Sequence, residues 1–136
     1  MMENGAIATD VTVRSATGLE PQFAAAMAYL AGPFSGAIIL MAERSNRYVR
    51  FHAWQAIIGL GGLAVAALAF LFLAFAGLFL SPAVFTFFYW MAGLTTLLWL
   101  VAWGICLVKA FGGAAWKLPL VGDYAERRAL STIRSS

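Results

Sequence analysis

Apolar positions in this chain do not alternate with polar ones; they run. From Pro21 to Ala42 no Asp, Glu, Lys or Arg interrupts them, and from Phe51 to Val108 none does either. A bilayer-spanning helix needs about 20 predominantly apolar residues, so the first run fits one span and the second fits two with a turn between them. A water-soluble core would interleave polar positions at a period of 3.6 or 2, and these runs have no such period. The pattern predicts an all-α polytopic membrane protein. Its bundle, 21–109, has three transmembrane helices at about 21–42, 54–80 and 82–108, and an amphipathic segment follows at 110–136.

Local signals refine those elements. Pro21 suits the first position of a helix, where its missing N–H costs nothing. Pro33, within "GPFSG", removes a backbone bond in mid-run and predicts a kink about one turn earlier, near Tyr29; a re-entrant hairpin is the alternative. The second helix is expected to start after the caps Ser45 and Asn46 and to run to about Leu80. That exceeds the ~30 Å hydrocarbon thickness, which places its first two turns in the headgroup zone. "GLGG", from Gly59 to Gly62, is a weak point for a bend. Ser81 can cap and Pro82 can open the third helix, so helices two and three form a hairpin. Asp123, with Glu126 three residues on, resembles a capping box that starts a short surface helix. Residues 1–20 are polar and free of aromatics, and they lack the basic n-region of a signal peptide. They read as a disordered tail.

Composition sharpens the class. Of 136 residues, 62% are hydrophobic and 11% charged, well outside the range of soluble domains. Arg44, Arg47 and Arg50 lie in the first loop, Lys109, Lys117, Arg127, Arg128 and Arg134 in the C-terminal part, and Arg14 stands alone. Basic residues stay cytoplasmic, which orients the chain in the plasma (bacterial inner) membrane with its N-terminus outside and its C-terminus inside. Cys106 is the only cysteine, so no internal disulfide forms.

Polar chemistry concentrates in "NRYVRFHAWQ", Asn46 to Gln55. On a helix, Tyr48, His52, Gln55, Gly59, Gly62 and Ala66 share a stripe, polar at one end and small at the other. The first run offers a matching stripe at Ala24, Ala28, Gly32 and Gly36, and small residues let spanning helices approach closely. These faces are expected to pack on one another. Arg47 and Arg50 share a neighbouring face with Trp54. Cations in a first helical turn oppose the dipole by about 0.3–1 kcal/mol and need partners. Glu43, lipid phosphates, or Asp123 of a folded-back tail could serve. Arg47, Arg50, His52, Trp54, Gln55, Lys117 and Asp123 are thus the candidate interfacial, lipid or partner contacts.

Enzyme signals are poor. One histidine cannot supply two axial haem ligands, and no carboxylate lies inside the spans to relay a proton. His52 reads instead as a hydrogen-bonded interfacial group. Ser35 is expected about 10 Å inside the bilayer, away from His52, and a serine without a base is a weak nucleophile. No phosphate-cradling loop or metal-ligand cluster is present, so no catalytic, cofactor or metal residue is expected. The basic tail lacks an aromatic-studded face for nucleic acid.

Two stretches, "AYLAGPFSGAIILMAERSNRYVRFHAWQAI" and "KAFGGAAWKLPLVGDYAE", resemble a family of small prokaryotic three-span membrane proteins. That family is similar to the Tic-twenty component of chloroplast inner-envelope protein import. The resemblance covers roughly Ala28 to Glu126, and its most specific pieces are "NRYVRFHAWQ" and "KLPLVGD", with Tyr48 where the family usually has Phe. It implies an import-component-like bundle. The plant members have four spans and belong to a preprotein-conducting complex, and no catalytic residue transfers. Three functions stay open: a non-enzymatic scaffold or accessory subunit, a component of a translocation or transport complex, and an anionic-lipid-binding protein. Three uncharged helices cannot enclose a water-filled path, so the second requires oligomers or a partner channel. Expected partners are the lipid bilayer, anionic phospholipid, and other membrane subunits or further copies of the chain.

Overall fold

The first apolar run does not form one helix. In a computed structural model, which describes residues 15–134, it splits into α1 (Pro21–Leu30) and α2 (Pro33–Ala42). Pro33 has no N–H to continue the ladder, and Gly32 takes φ 61°, ψ −130°, a conformation that is cheap only for glycine. Ser35 repairs the break: its Oγ accepts from Ala31 N (2.9 Å) and donates to Ala28 O (2.9 Å). The chain then doubles back. Ala16 N donates to the Glu43 carboxylate at 2.7 Å, and Ser15 Oγ donates to it as well. A straight helix over 21–42 would hold its ends about 33 Å apart.

The continuous helix expected at 21–42 with a kink near Tyr29 is therefore corrected to a helical hairpin, the geometry that the re-entrant alternative requires. Ser15 and Ala16 thus lie beside the loop that carries Glu43. Of the expected disordered tail, 1–14 fall outside the described residues, while Ser15 is buried in that contact.

The second run forms two long helices. α3 (Arg47–Gln55), a π-helical turn (Ala56–Leu60) and α4 (Gly61–Gly77) make one continuous helix of 31 residues. α5 (Pro82–Phe111) has 30. Asn46 caps the first by accepting from Val49 N, and Ser81 caps the second by accepting from Val84 N, as the sequence implies. α4 stops at Gly77, short of Leu80. A Cβ at Gly77 would come within 2.7 Å of Val84 Cγ1, so glycine allows the close hairpin turn. Each long helix is apolar enough and long enough to cross a bilayer, at roughly 45 Å by helical rise. All regular structure among the described residues is helical, consistent with a small polytopic membrane protein.

Packing is lopsided. α1 lies against α3 and α5, α2 against α1, α3 and the π turn, and α6 (Gly122–Arg134) against α3. Tyr29, Tyr48, Phe51, Leu60 and Cys106 are fully buried at this end. Beyond Gly61, α4 packs chiefly on α5, and the two helices expose Val65, Phe72, Phe87, Trp90 and Leu97. The Thr86, Thr95 and Thr96 hydroxyls donate to carbonyls four residues back, so even these polar groups are satisfied within their own helix.

Candidate functional site

At the crowded end lies a buried polar joint. Gln55, fully buried, donates through Nε2 to Trp116 O and to Tyr29 OH (both 3.1 Å), and its Oε1 accepts from Leu118 N at 2.9 Å. One amide thus pins the segment after α5 to the base of the second helix. The Tyr29 hydroxyl, accepting from Gln55, also shares a hydrogen bond with His52 Nδ1 at 2.8 Å. His52 Nε2, on the far side of the ring, is buried and makes no hydrogen bond. Tyr48 and Phe51 ring the imidazole edge-on, and Tyr48 OH donates to Ala110 O at 2.7 Å. Cys106 Sγ lies 3.8 Å from Gln55 Nε2, buried beside the joint.

The π turn explains where the small-residue stripe holds and where it fails. Trp99 Nε1 donates to the carbonyl of Leu60, the last residue of the π turn, at 2.9 Å. Trp103 Nε1 does the same to Tyr29 O at the end of α1. Upstream of the turn the expected face is intact, with Tyr48, His52 and Gln55 all buried. Downstream the register has slipped by one. Gly61, not Gly62, approaches Pro33 (3.3 Å to a built Cβ), while nothing lies within 4 Å at Gly62, and Ala66 is half-buried. Gly59 faces Leu118 of the tail rather than the first run. Ala24 and Ala28 are fully buried as expected; Gly36 packs on Ala53, Ala56 and Ile57, whereas Gly32 faces Trp99 of α5.

A second joint centres on Glu43, which the sequence offered only as a partner for Arg47. Its Oε1 accepts from Ser45 N, Ser45 Oγ and Asn46 N, and its Oε2 from Ser15 and Ala16. Burial alone would raise this carboxyl, but those hydrogen bonds, Ser15's foremost, outweigh it and hold the group below its ordinary range. Arg50 Nη1 donates to Glu43 O at 2.8 Å. A sequence signal existed: Glu43 is the only acidic residue between Glu20 and Asp123. Tyr29 was signalled too, since a phenol inside an uncharged run needs a partner.

Among the described residues, Asp123 pairs with Lys117 rather than with Arg47 or Arg50, the partners expected for a clasp. Lys117 takes Asp123 Oδ1 at 2.9 Å and also Glu126, so Asp123 serves as an ion-pair partner rather than as the first half of a capping box. Glu126, then Asp123, hold the Lys117 ammonium above its ordinary range against desolvation, and Lys117 holds Asp123 below its own. Gly122 makes the tight turn possible: a Cβ there would lie 2.3 Å from Lys117 Cβ. α6 then docks on α3 through buried Ala125 and Ala129, with the Arg128 guanidinium 5.8 Å from the Trp54 ring centre. Among the described residues no three His, Cys, Asp or Glu gather as a metal would need.

No family model matches the chain, and no solved structure matches it. Curated relatives do. It is 34% identical over 110 residues to a UPF0132 membrane protein of Archaeoglobus fulgidus, covering 81% of this chain and 96% of that one. A UPF0132 membrane protein of Methanocaldococcus jannaschii is 32% identical over 115 residues, covering 84% and 93%. A second from that organism is 30% identical over 113 residues, covering 82% and 72%. Apolar helices long enough to cross a bilayer agree with the relatives' being membrane proteins, and the chain belongs to the UPF0132 family of membrane proteins.

Proposed function

We propose that the protein is a non-enzymatic scaffold or accessory subunit: a two-helix anchor that crosses the membrane and carries a rigid polar platform on one face. One observation carries this reading. Tyr29, His52, Gln55 and Glu43, the side chains a catalyst would use, are engaged with one another or with backbone that they hold in place. Exposed polar groups such as Arg44 and Arg127 instead face outward from the same end. The basic residues favour a cytoplasmic platform in the plasma membrane. With a re-entrant first run, residues 15–20 share that side, which replaces the N-terminus-outside orientation by two crossings. The platform's partners are other membrane subunits or further copies of the chain.

Two measurements test this. In a Cys106→Ser background, Ala16→Cys and Arg44→Cys should be labelled from the cytoplasm and Ser81→Cys from outside; labelling of 16 and 44 from opposite sides overturns the topology. A photo-cross-linker at position 44 or 127 should form a discrete protein adduct in cells, and one at lipid-facing position 72 should not. Adducts to lipid alone would replace the scaffold by the anionic-lipid reading.

A further inference from the structure

The protein's cross-section differs between the two halves of the bilayer. α1 and α2 have ten residues each, or about 15 Å, half the ~30 Å hydrocarbon thickness. Their depth is set by contacts to α5: the Phe23 ring lies 6.3 Å from that of Phe111 near the surface, and Gly32 packs on Trp99 at the deep end. The re-entrant hairpin therefore occupies one leaflet and stops. Its outer side is built for acyl chains, with Phe34 77%, Ile38 66% and Met41 78% exposed. α6 adds an amphipathic helix on the same side, its Ala125 and Ala129 buried against α3 and its Asp123 and Arg127 outward. In the other half, of the described residues, only α4 and α5 remain, and both expose apolar side chains on their unpaired sides.

We propose that this shape is a membrane wedge: the protein concentrates in bilayers that are convex on its platform side, and favours such bending when crowded. Four helical segments displace lipid in the near leaflet and two in the far one. With a helix about 10 Å across, the difference is about 160 Å² per molecule. Convex curvature spreads the near leaflet and relieves that mismatch, the physics by which one-sided helices sense curvature. The partner is the phospholipid bilayer itself, recognised by curvature and not by headgroup charge. The inference rests on the re-entrant topology proposed above, and not on whether the platform binds a protein.

The test uses the full chain in giant vesicles of neutral phosphatidylcholine from which thin tubes are drawn outward. Molecules with the platform outside are labelled from outside through a C-terminal tag. Those with the platform inside are labelled from outside at Ser81→Cys in the Cys106→Ser chain. Platform-out molecules should enrich in the tube by about twofold or more as it narrows, and platform-in molecules should be depleted. Equal density in tube and vesicle, or sorting of the same sign for both orientations, overturns the proposal. Neutral lipid separates curvature from charge, and a missing protein adduct at position 44 would leave this result untouched.

Discussion

Gln55 and Glu43 hold the molecule together in different ways. Gln55 fills its donor and acceptor capacity with backbone groups from a segment some sixty positions away and with the Tyr29 hydroxyl. Gln55→Leu would strand Leu118 N and Trp116 O in a buried site. It should cost about 2–3 kcal/mol, against about 1 kcal/mol for Tyr29→Phe, read by denaturant unfolding in micelles. Glu43 ties residues 15–16 to the loop before α3 as a carboxylate. Its folded pKa is depressed, so its contribution is complete above the ordinary value of 4.5 and is lost as pH falls through the lower folded value. Exchange of the Ala16 amide hydrogen, relative to its intrinsic rate at each pH, should therefore stay slow from pH 7 to 5 and quicken only in stronger acid. Glu43→Gln should make it quick at neutral pH.

Helices α1 and α2 depend on one backbone conformation. Gly32 sits where an L side chain is strained, with Trp99 at 3.3 Å from a built Cβ. Gly32→Ala should destabilise by about 1–3 kcal/mol in a thermal melt. Gly62, in open space within α4, gives the contrasting case. Gly62→Ala should be neutral or stabilising by about 0.5–1 kcal/mol, since alanine is the better helix former and meets nothing. Equal losses at both positions would contradict the one-residue slip through the π turn. "GLGG" did mark the deformation, which covers Ala56–Leu60, but as an extra residue and not as a bend.

At the scale of the molecule, stability should be graded from membrane to surface. In lipid, opening α4 or α5 would expose backbone groups with no water to take them. α6 is held by small buried side chains, the Lys117 ion pairs and a cation–ring contact, interactions that contribute little each at a surface. Hydrogen exchange in nanodiscs should show α6 amides exchanging first, those of the α1–α2 hairpin next, and α4–α5 last. Protection of α6 equal to α5 would mean that the platform is welded to the anchor.

The apolar runs by themselves determined that this chain is helical and membrane-embedded, where its hairpin turns, and which residues cap its long helices. Those properties depend on charge-free length and on bonds between near neighbours: Asn46 with Val49, Ser81 with Val84. Only the tertiary structure decided whether Pro33 kinks or reverses the first run. Reversal needs Trp99 and Trp103 to cover the turn, and Ala53 and Ala56 to receive Gly36. It also decided which groups meet His52, Gln55 and Glu43, because a hydrogen bond joining residues 23 to 63 positions apart leaves no periodic trace in either partner's neighbourhood.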